Sequence, residues 1–274
     1  MKSKDVLIKW TGSKRIQSPD IIKHFPKSIE TYYEPFIGGG SMLYALMNST
    51  IEVKKFECSD LNSDLIQVWK TVKEDPESII DFYKTNWMQV SRELYESIRQ
   101  EHNNDPDPRK LFFLLRTCRN GLVRYNKHKK FNSAFHHGRK GINPDQLIKT
   151  VIDWHEKLIK FDVQFTVCDY KDIKSKNNDL IYLDPPYARS IDFRMYFLGA
   201  FNFDSFWEWL GEQKSSYLVS LNGYKDEKDC RIDFPSDLYD SYELISNGLN
   251  KFDQMQHNKV IAKDSLYIRI REKQ

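Results

Sequence analysis

No stretch of this 274-residue chain stays apolar long enough to span a bilayer, and its start, "MKSKDVLIKW", holds no extended hydrophobic segment. A cytoplasmic protein of a prokaryotic or phage-infected cell, with no membrane partner, is expected. The four cysteines, Cys58, Cys118, Cys168 and Cys230, never approach CxxC spacing. That argues against a zinc site and a disulfide frame and for reduced thiols, so no metal ligand set is assigned. The glycine pattern GxGxxG is missing, which weighs against a nicotinamide dinucleotide. Internal repeats and low-complexity tracts are missing too. From Arg109 to Lys140 there is not one Asp or Glu.

That last absence gives the charge its meaning. The same segment holds ten Lys or Arg and three His, while the rest of the chain has 32 basic against 39 acidic residues, a net of −7. Tyr125, Asn126, Phe131 and Asn132 are interleaved among the cations. A basic segment without acids to pair with, on an acidic body, predicts a polyanion partner.

Strands and helices alternate on both sides of a helix-rich middle. "TYYEPF", Thr31 to Phe36, and Val53 to Cys58 read as strands, with a helix from about Met42 between them. Helices are expected over Glu77 to Gln100 and Lys110 to Asn120, and a further one starts at Asn143-Pro144. "DVQFTVCD", "DLIYLD", "YLVSLN" and "SLYIRI" read as strands, and "FDSFWEWLGEQK" as a helix. The pattern predicts an α/β domain assembled from residues 1–74 and 161–274, with a helical module inserted over 75–160. Asp226 to Val260 carries no assignment.

"EPFIGGGS", Glu34 to Ser41, sets glycines between a strand and a helix, where backbone approaches a ligand closely. Twenty residues after Gly40, Asp60 ends the next strand, a spacing suited to an acid that accepts hydrogen bonds from ribose hydroxyls. A nucleoside cofactor without phosphates fits, and S-adenosylmethionine meets that description. Glu34, Phe36, Gly38, Gly40, Ser41 and Asp60 are the candidate contacts. In "KWTGSK", Trp10 offers a flat face to a purine or sulfonium and Lys14 a cation to a carboxylate.

"NDLIYLDPPYARS" ends a buried strand in a carboxylate, two prolines and a tyrosine. An exocyclic amine on a nucleobase is a poor nucleophile because its lone pair is delocalised into the ring. A carboxylate accepting one N–H and a fixed carbonyl accepting the other would free that lone pair and aim it. Asp184 supplies the carboxylate, Pro185 the carbonyl, Pro186 the rigidity and Tyr187 a stacking platform.

Base reading is expected from Arg116, Arg119 and Asn120, placed on one helix face, and from Arg124 in the following loop. Lys127, Lys129 and Lys130 suit phosphates, and Asn126, Asn132 and Arg139 complete the candidate DNA-binding set.

"KWTGSK", "EPFIGGGS", "SDLNSDLI", "NGLVRYN", "FNSAFHHGR" and "DPPY" stand in one order over nearly the whole chain. In that order they resemble the α group of adenine-specific DNA methyltransferases, the Dam-type family. The resemblance implies a Rossmann-like S-adenosylmethionine-dependent methyltransferase sheet with an inserted helical DNA-recognition module. It implies that Trp10, Lys14, Asp60 and Asp184 contact S-adenosylmethionine or lie beside it, that Asp169 of "VCDY" lies near its adenine, and that Asn120 and Arg124 belong to the reading module. The expected partner is duplex DNA, whose target base is flipped out, and the expected assembly a monomer or weak dimer. One departure stands out: relatives often carry an aromatic wedge before "NGL", where this chain has Arg119. Methylation of the cytosine amine, of RNA or of a glutamine side chain follows the same hydrogen-bond logic, and a DNA-binding regulator with a vestigial donor site is the rival outside enzymes.

Overall fold

The computed structural model describes residues 6–138, 140–186, 201–249 and 261–271. Among the described residues eight strands form one sheet: β1 (Ser28–Glu34), β2 (Glu52–Asp60), β3 (Gln164–Val167), β4 (Leu180–Leu183), β5 (Ser216–Lys225), β6 (Lys228–Asp229), β7 (Ser241–Leu249) and β8 (Ile261–Arg269). Their order is β3-β2-β1-β4-β5-β8-β7, with β6 hairpinned onto β5. The first five are parallel, and β8 and β7 close the sheet antiparallel. The unassigned segment thus supplies a sheet edge: β7 falls inside it, where the sequence alternates only weakly.

The α-helices are α1 (Ser18–Ile21), α2 (Ser41–Met47), α3 (Ser63–Glu74), α4 (Pro76–Met88), α5 (Arg92–Asn104), α6 (Pro108–Thr117), α7 (Pro144–Lys160) and α8 (Phe203–Gly211). Most begin on a side chain that accepts an otherwise unpaired N–H: Asn62, Asp75, Ser91, Asp107, Asn143 and Asn202 cap α3 to α8 in turn. Ser91 explains why the helix expected over Glu77 to Gln100 is two. Its extended backbone breaks the chain, and its hydroxyl accepts from Leu94 N–H at 3.1 Å to start α5.

All four residues of β4, Leu180 to Leu183, are buried because both faces of the sheet are covered. Tyr32, Leu180, Tyr182, Leu218 and Leu266 face one apolar cluster, and Ile181, Leu183, Tyr217 and Val219 face the other. α8 covers the second cluster through Phe206, Trp209 and Leu210. The first runs without a break into the helical middle of the chain, through Trp69, Tyr83, Tyr95, Phe112 and Trp154. Trp69 and Trp154 lie 4.9 Å apart and tie α3 to α7.

From β1 the chain moves outward to β2 and β3, then returns to β4 on the other side of β1 and moves outward again to β5. The C-terminal ends of β1 and β4 therefore flank the point where the strand order reverses, where parallel sheets open a crevice. Tyr32 pairs with Leu180 and Tyr33 with Ile181, so Glu34 and Asp184 leave adjacent strand ends 150 positions apart in sequence.

Candidate active site and nucleic-acid interface

A cavity of about 300 Å3 opens at that reversal. Trp10, Lys14, Glu34, Phe36, Gly38, Ser41, Asp60, Asp169, Asp184, Pro185 and Pro186 all line it. Of the candidate site residues, Tyr187 and Arg139 lie outside the described residues, as does most of the loop after Tyr187.

Asp184 is held from across the fold. The Lys14 ammonium, almost fully buried, donates to Asp184 Oδ2 at 2.8 Å and to the Gly12 carbonyl at 3.1 Å, and lies 2.7 Å from Asp184 Oδ1 in the ion pair. Glu34 lies on the neighbouring strand end and accepts from the Tyr32 hydroxyl at 2.8 Å. Burial pushes its carboxyl up to about 8, against the pull of that hydroxyl, and the charge of Asp184 adds to the rise. Glu34 is therefore mostly protonated at pH 7.

The glycine loop divides into two roles. Gly38 and Gly40 both take left-handed backbone, with φ of 45° and 66°. A Cβ on Gly38 would sit 2.7 Å from the Trp10 ring, and one on Gly40 would sit 2.9 Å from Trp69. Gly38 lines the cavity, but Gly40 does not; its missing side chain makes room for the tryptophans of the core. Trp69 in turn donates its indole N–H to the Gly38 carbonyl at 3.1 Å, fixing the loop from below.

Asp60 accepts from the N–H of Gly38 at 3.3 Å and of Asn62 at 3.0 Å. Burial raises its carboxyl to about 6, an effect those two donors oppose. Asp169 accepts from Lys171 N–H at 3.1 Å and starts a short turn that carries Tyr170. Tyr170, Phe36 and Phe201 form an aromatic wall, with ring centres 5.6–5.9 Å apart. Tyr170, Phe201 and Tyr125 also line the cavity, although none of them was a candidate contact in the sequence, where Tyr125 stood only among the aromatics of the basic segment.

The basic segment is arranged differently from the expected helix face. α6 stops at Thr117; Cys118 turns extended and pairs with Phe135, and Tyr125 pairs with Phe131. Between them the chain forms a hairpin, in which Arg119 N–H donates to the Ala134 carbonyl at 2.7 Å and Asn132 N–H to the Arg124 carbonyl at 2.7 Å. Side chains alternate across it. Val123, Tyr125, Phe131, Ser133 and Phe135 point inward, while Arg124, Asn126, Asn132 and Ala134 are exposed. Lys127, His128 and Lys129 stand at the exposed tip, and Arg119 and Asn120 are exposed at the base. Asn120 has a left-handed φ of 57°, which removes it from any helix.

Arg116 does not share that surface. It is buried, and its guanidinium donates to the carbonyls of Val6 at 2.8 Å and Leu7 at 3.2 Å, pinning the N-terminal segment. Acids from outside the run also reach into it: Asp107 holds Arg109 at 2.6 Å and Glu101 holds Lys110 at 3.2 Å. Arg116 is thus a structural residue, and the surface charge of the segment is carried by the hairpin and Lys140.

Hairpin and cavity meet. The amide of Asn62, two residues from Asp60, donates to the Tyr125 hydroxyl at 2.8 Å, and Val123 N–H donates to the Thr11 hydroxyl at 3.2 Å.

Residues 10–249 match the family model of D12 class N6 adenine-specific DNA methyltransferases. The chain belongs to this family. Among similar proteins is the Type II methyltransferase M.MjaIII of Methanocaldococcus jannaschii, 30% identical over 267 residues, covering 86% of this chain and 88% of the relative. The DNA adenine methylase of Escherichia coli K12 is 31% identical over 197 residues, covering 69% of this chain and 66% of the relative. The Type II methyltransferase M1.LlaDCHI of Lactococcus lactis is 29% identical over 195 residues, covering 65% and 64%. As an adenine-specific DNA methyltransferase the chain needs a methyl donor and a DNA substrate, and its fold is the Rossmann-like sheet described above. Among the described residues no helix is long and apolar enough to cross a membrane, and no three His, Cys, Asp or Glu stand together as metal ligands.

Proposed function

We propose that this methyltransferase binds S-adenosylmethionine in the cavity between β1 and β4 and methylates N6 of an adenine swung out of duplex DNA. The observation that carries the reading is that the Lys14-held Asp184 and the Asp60–Gly38 pair open onto one cavity. The residues suit such a donor: a half-buried acid for ribose hydroxyls, a close-packed glycine backbone, and an aromatic wall for a purine. When bound, S-adenosylmethionine supplies a methyl group on a positively charged sulfur, which keeps the bonding pair on transfer.

Asp184 accepts one N–H of the adenine amine and the Pro185 carbonyl the other, so the lone pair leaves conjugation with the ring. The amine gains the N–C bond and loses one proton, for which Asp184 is the acceptor. Extruding the base costs a few kcal/mol of stacking. Arg119, at the base of the hairpin, takes the place of an aromatic wedge and fills the gap with a cation. Arg124, Asn126 and Asn132 read base edges from the exposed hairpin face, while Lys127 and Lys129 hold phosphates. Residues 75–160 act as the target-recognition part, and residues 1–74 and 161–274 as the catalytic part.

Asp184→Ala tests the reading. Radiolabelled methyl transfer is expected to fall by about a thousandfold or more while DNA binding in a gel-shift assay persists, because the carboxylate acts on the amine alone. Turnover within tenfold of the unaltered enzyme would overturn it.

A further inference from the structure

The ion pair of Lys14 is disturbed by the reaction just described. Its ammonium lies 2.7 and 2.8 Å from the two oxygens of Asp184, and this carboxylate has to accept the N–H of the incoming amine and then its proton, which cancels the charge facing Lys14. Lys14 is buried, so its charge has little recourse to water. The ammonium needs a second anion nearby when it loosens its hold.

Such an anion is present. Asp264 of β8, 8% exposed, places Oδ2 3.7 Å from the Lys14 Nζ. It is oriented from two sides: the Gln17 amide donates to Oδ2 at 3.1 Å, and the Asn247 amide donates to Oδ1 at 2.9 Å. Gln17 is itself buried and also donates to the Ile245 carbonyl at 3.4 Å, which fixes it against β7. Three residues after Lys14, it belongs to the turn in which Lys14 C=O accepts from the N–H of Gln17 and Ser18. One short segment therefore carries both the cation and the group that aims its second acid.

The sheet is altered at this point. β5 and β8 lose register between Asn222 and Tyr224, beside Asp264. Gly223, at this bulge, lies so close to β8 that a Cβ would stand 2.4 Å from the Lys263 carbonyl oxygen. Bulges next to active sites re-aim side chains, and only glycine permits this approach. Asp264 alternates with Leu266 and Ile268, which pack into the first apolar cluster, so an acid stands where the strand pattern calls for an apolar residue.

We infer that Asp264 is a positioning residue for methyl transfer, which receives the Lys14 ammonium when the adenine amine takes its place on Asp184. The inference rests on the reading of Asp184 given above. Because the cation is shared between two carboxylates, Asp184 can turn to the substrate amine without leaving a buried charge unpaired.

The experiment is a double-mutant cycle on the full chain, read in single-turnover methyl transfer at saturating S-adenosylmethionine and DNA. Asp264→Asn keeps the shape and an acceptor for Gln17 but removes the charge. It is expected to lower the transfer rate by roughly tenfold, with both binding constants within about twofold of the unaltered enzyme, and Asp264→Glu to recover most of the loss. In a Lys14→Met background, Asp264→Asn is expected to add less than about twofold, because its effect runs through the lysine. An unchanged rate in Asp264→Asn overturns the inference, and so does an equal loss with and without Lys14. If Asp264→Asn does not fold, Gln17→Met, which leaves the charge but removes its guide, should slow transfer with unaltered donor affinity; a full rate there also overturns it. Asp184→Ala in the same series reports on the underlying reading by itself, since an active variant would fail that reading whatever Asp264 does.

Discussion

The cavity and the hairpin use polar side chains in opposite ways. In the cavity Lys14, Asp184, Glu34 and Asp60 are removed from most solvent, and each is oriented by named donors or acceptors. In the hairpin the backbone supplies the order, through pairs such as Asn132 N–H to Arg124 C=O, and the long cationic side chains lie on the outside. A site that does chemistry needs groups held to a fraction of an ångström before the substrate arrives. A surface that meets a polyanion needs its charges solvated until contact, since counterion release and groove contacts supply the binding free energy. Burial is what separates chemistry from recognition here, and charge alone does not.

Arg116 is the sharpest way to break that contrast, because it belongs to the basic run by sequence and to the interior by structure. Arg116→Ala should lower folding stability by about 2–3 kcal/mol, as the bonds to Val6 and Leu7 and the buried stem are lost. Thermal melts and gel shifts together test this: the expected result is a lower Tm with DNA affinity of the folded protein retained. Weaker DNA binding at an unaltered Tm would return Arg116 to the interface.

Arg124 should show the converse. Arg124→Ala is expected to leave the Tm alone and to reduce methylation of the cognate duplex by roughly 10–100-fold relative to duplexes altered at one base pair. A loss of equal size on every duplex would make it a phosphate contact, like Lys127 and Lys129, whose replacement should instead flatten the salt dependence by about one log–log unit each.

Within the cavity, Asp60 and Glu34 sharpen the comparison further. Asp60→Asn should raise the S-adenosylmethionine Kd by about tenfold, measured by calorimetry. The carboxyl of Asp60 is raised to about 6, so its ionised form, the better acceptor, dominates above that pH. Donor affinity of the unaltered enzyme should therefore weaken as the pH falls from 7 to 5, and that of Asp60→Asn should not. Glu34→Gln should have the smallest effect, less than about twofold on the same Kd at pH 7, because burial already holds that carboxyl neutral up to about 8. The variant and the unaltered enzyme should part only above that pH.

Some of this was written locally in the chain. The glycine loop after a strand, the acid at the next strand end, the buried run into "DPPY" and the capped helix start at Asn143 depend on neighbours within a few residues, so the sequence alone determined them. The acid-free basic segment needed only composition. Tertiary structure decided everything that rests on contacts between distant parts. The parallel order β1-β4 brings Glu34 and Asp184 side by side, and Lys14 reaches Asp184 across 170 positions. Pairing of Cys118 with Phe135 overrides the helical tendency of "RTCRN" and turns a supposed helix face into a hairpin. Burial takes Arg116 out of the cationic surface, packing sets Gly40 against the tryptophans, and the pairing of β8 with β5 and β7 brings Asp264 beside Lys14. Periodicity and local motifs report which face of an element is apolar. They do not report which face of another element will cover it, and that pairing sets whether a charged side chain meets water, a carbonyl or a second charge.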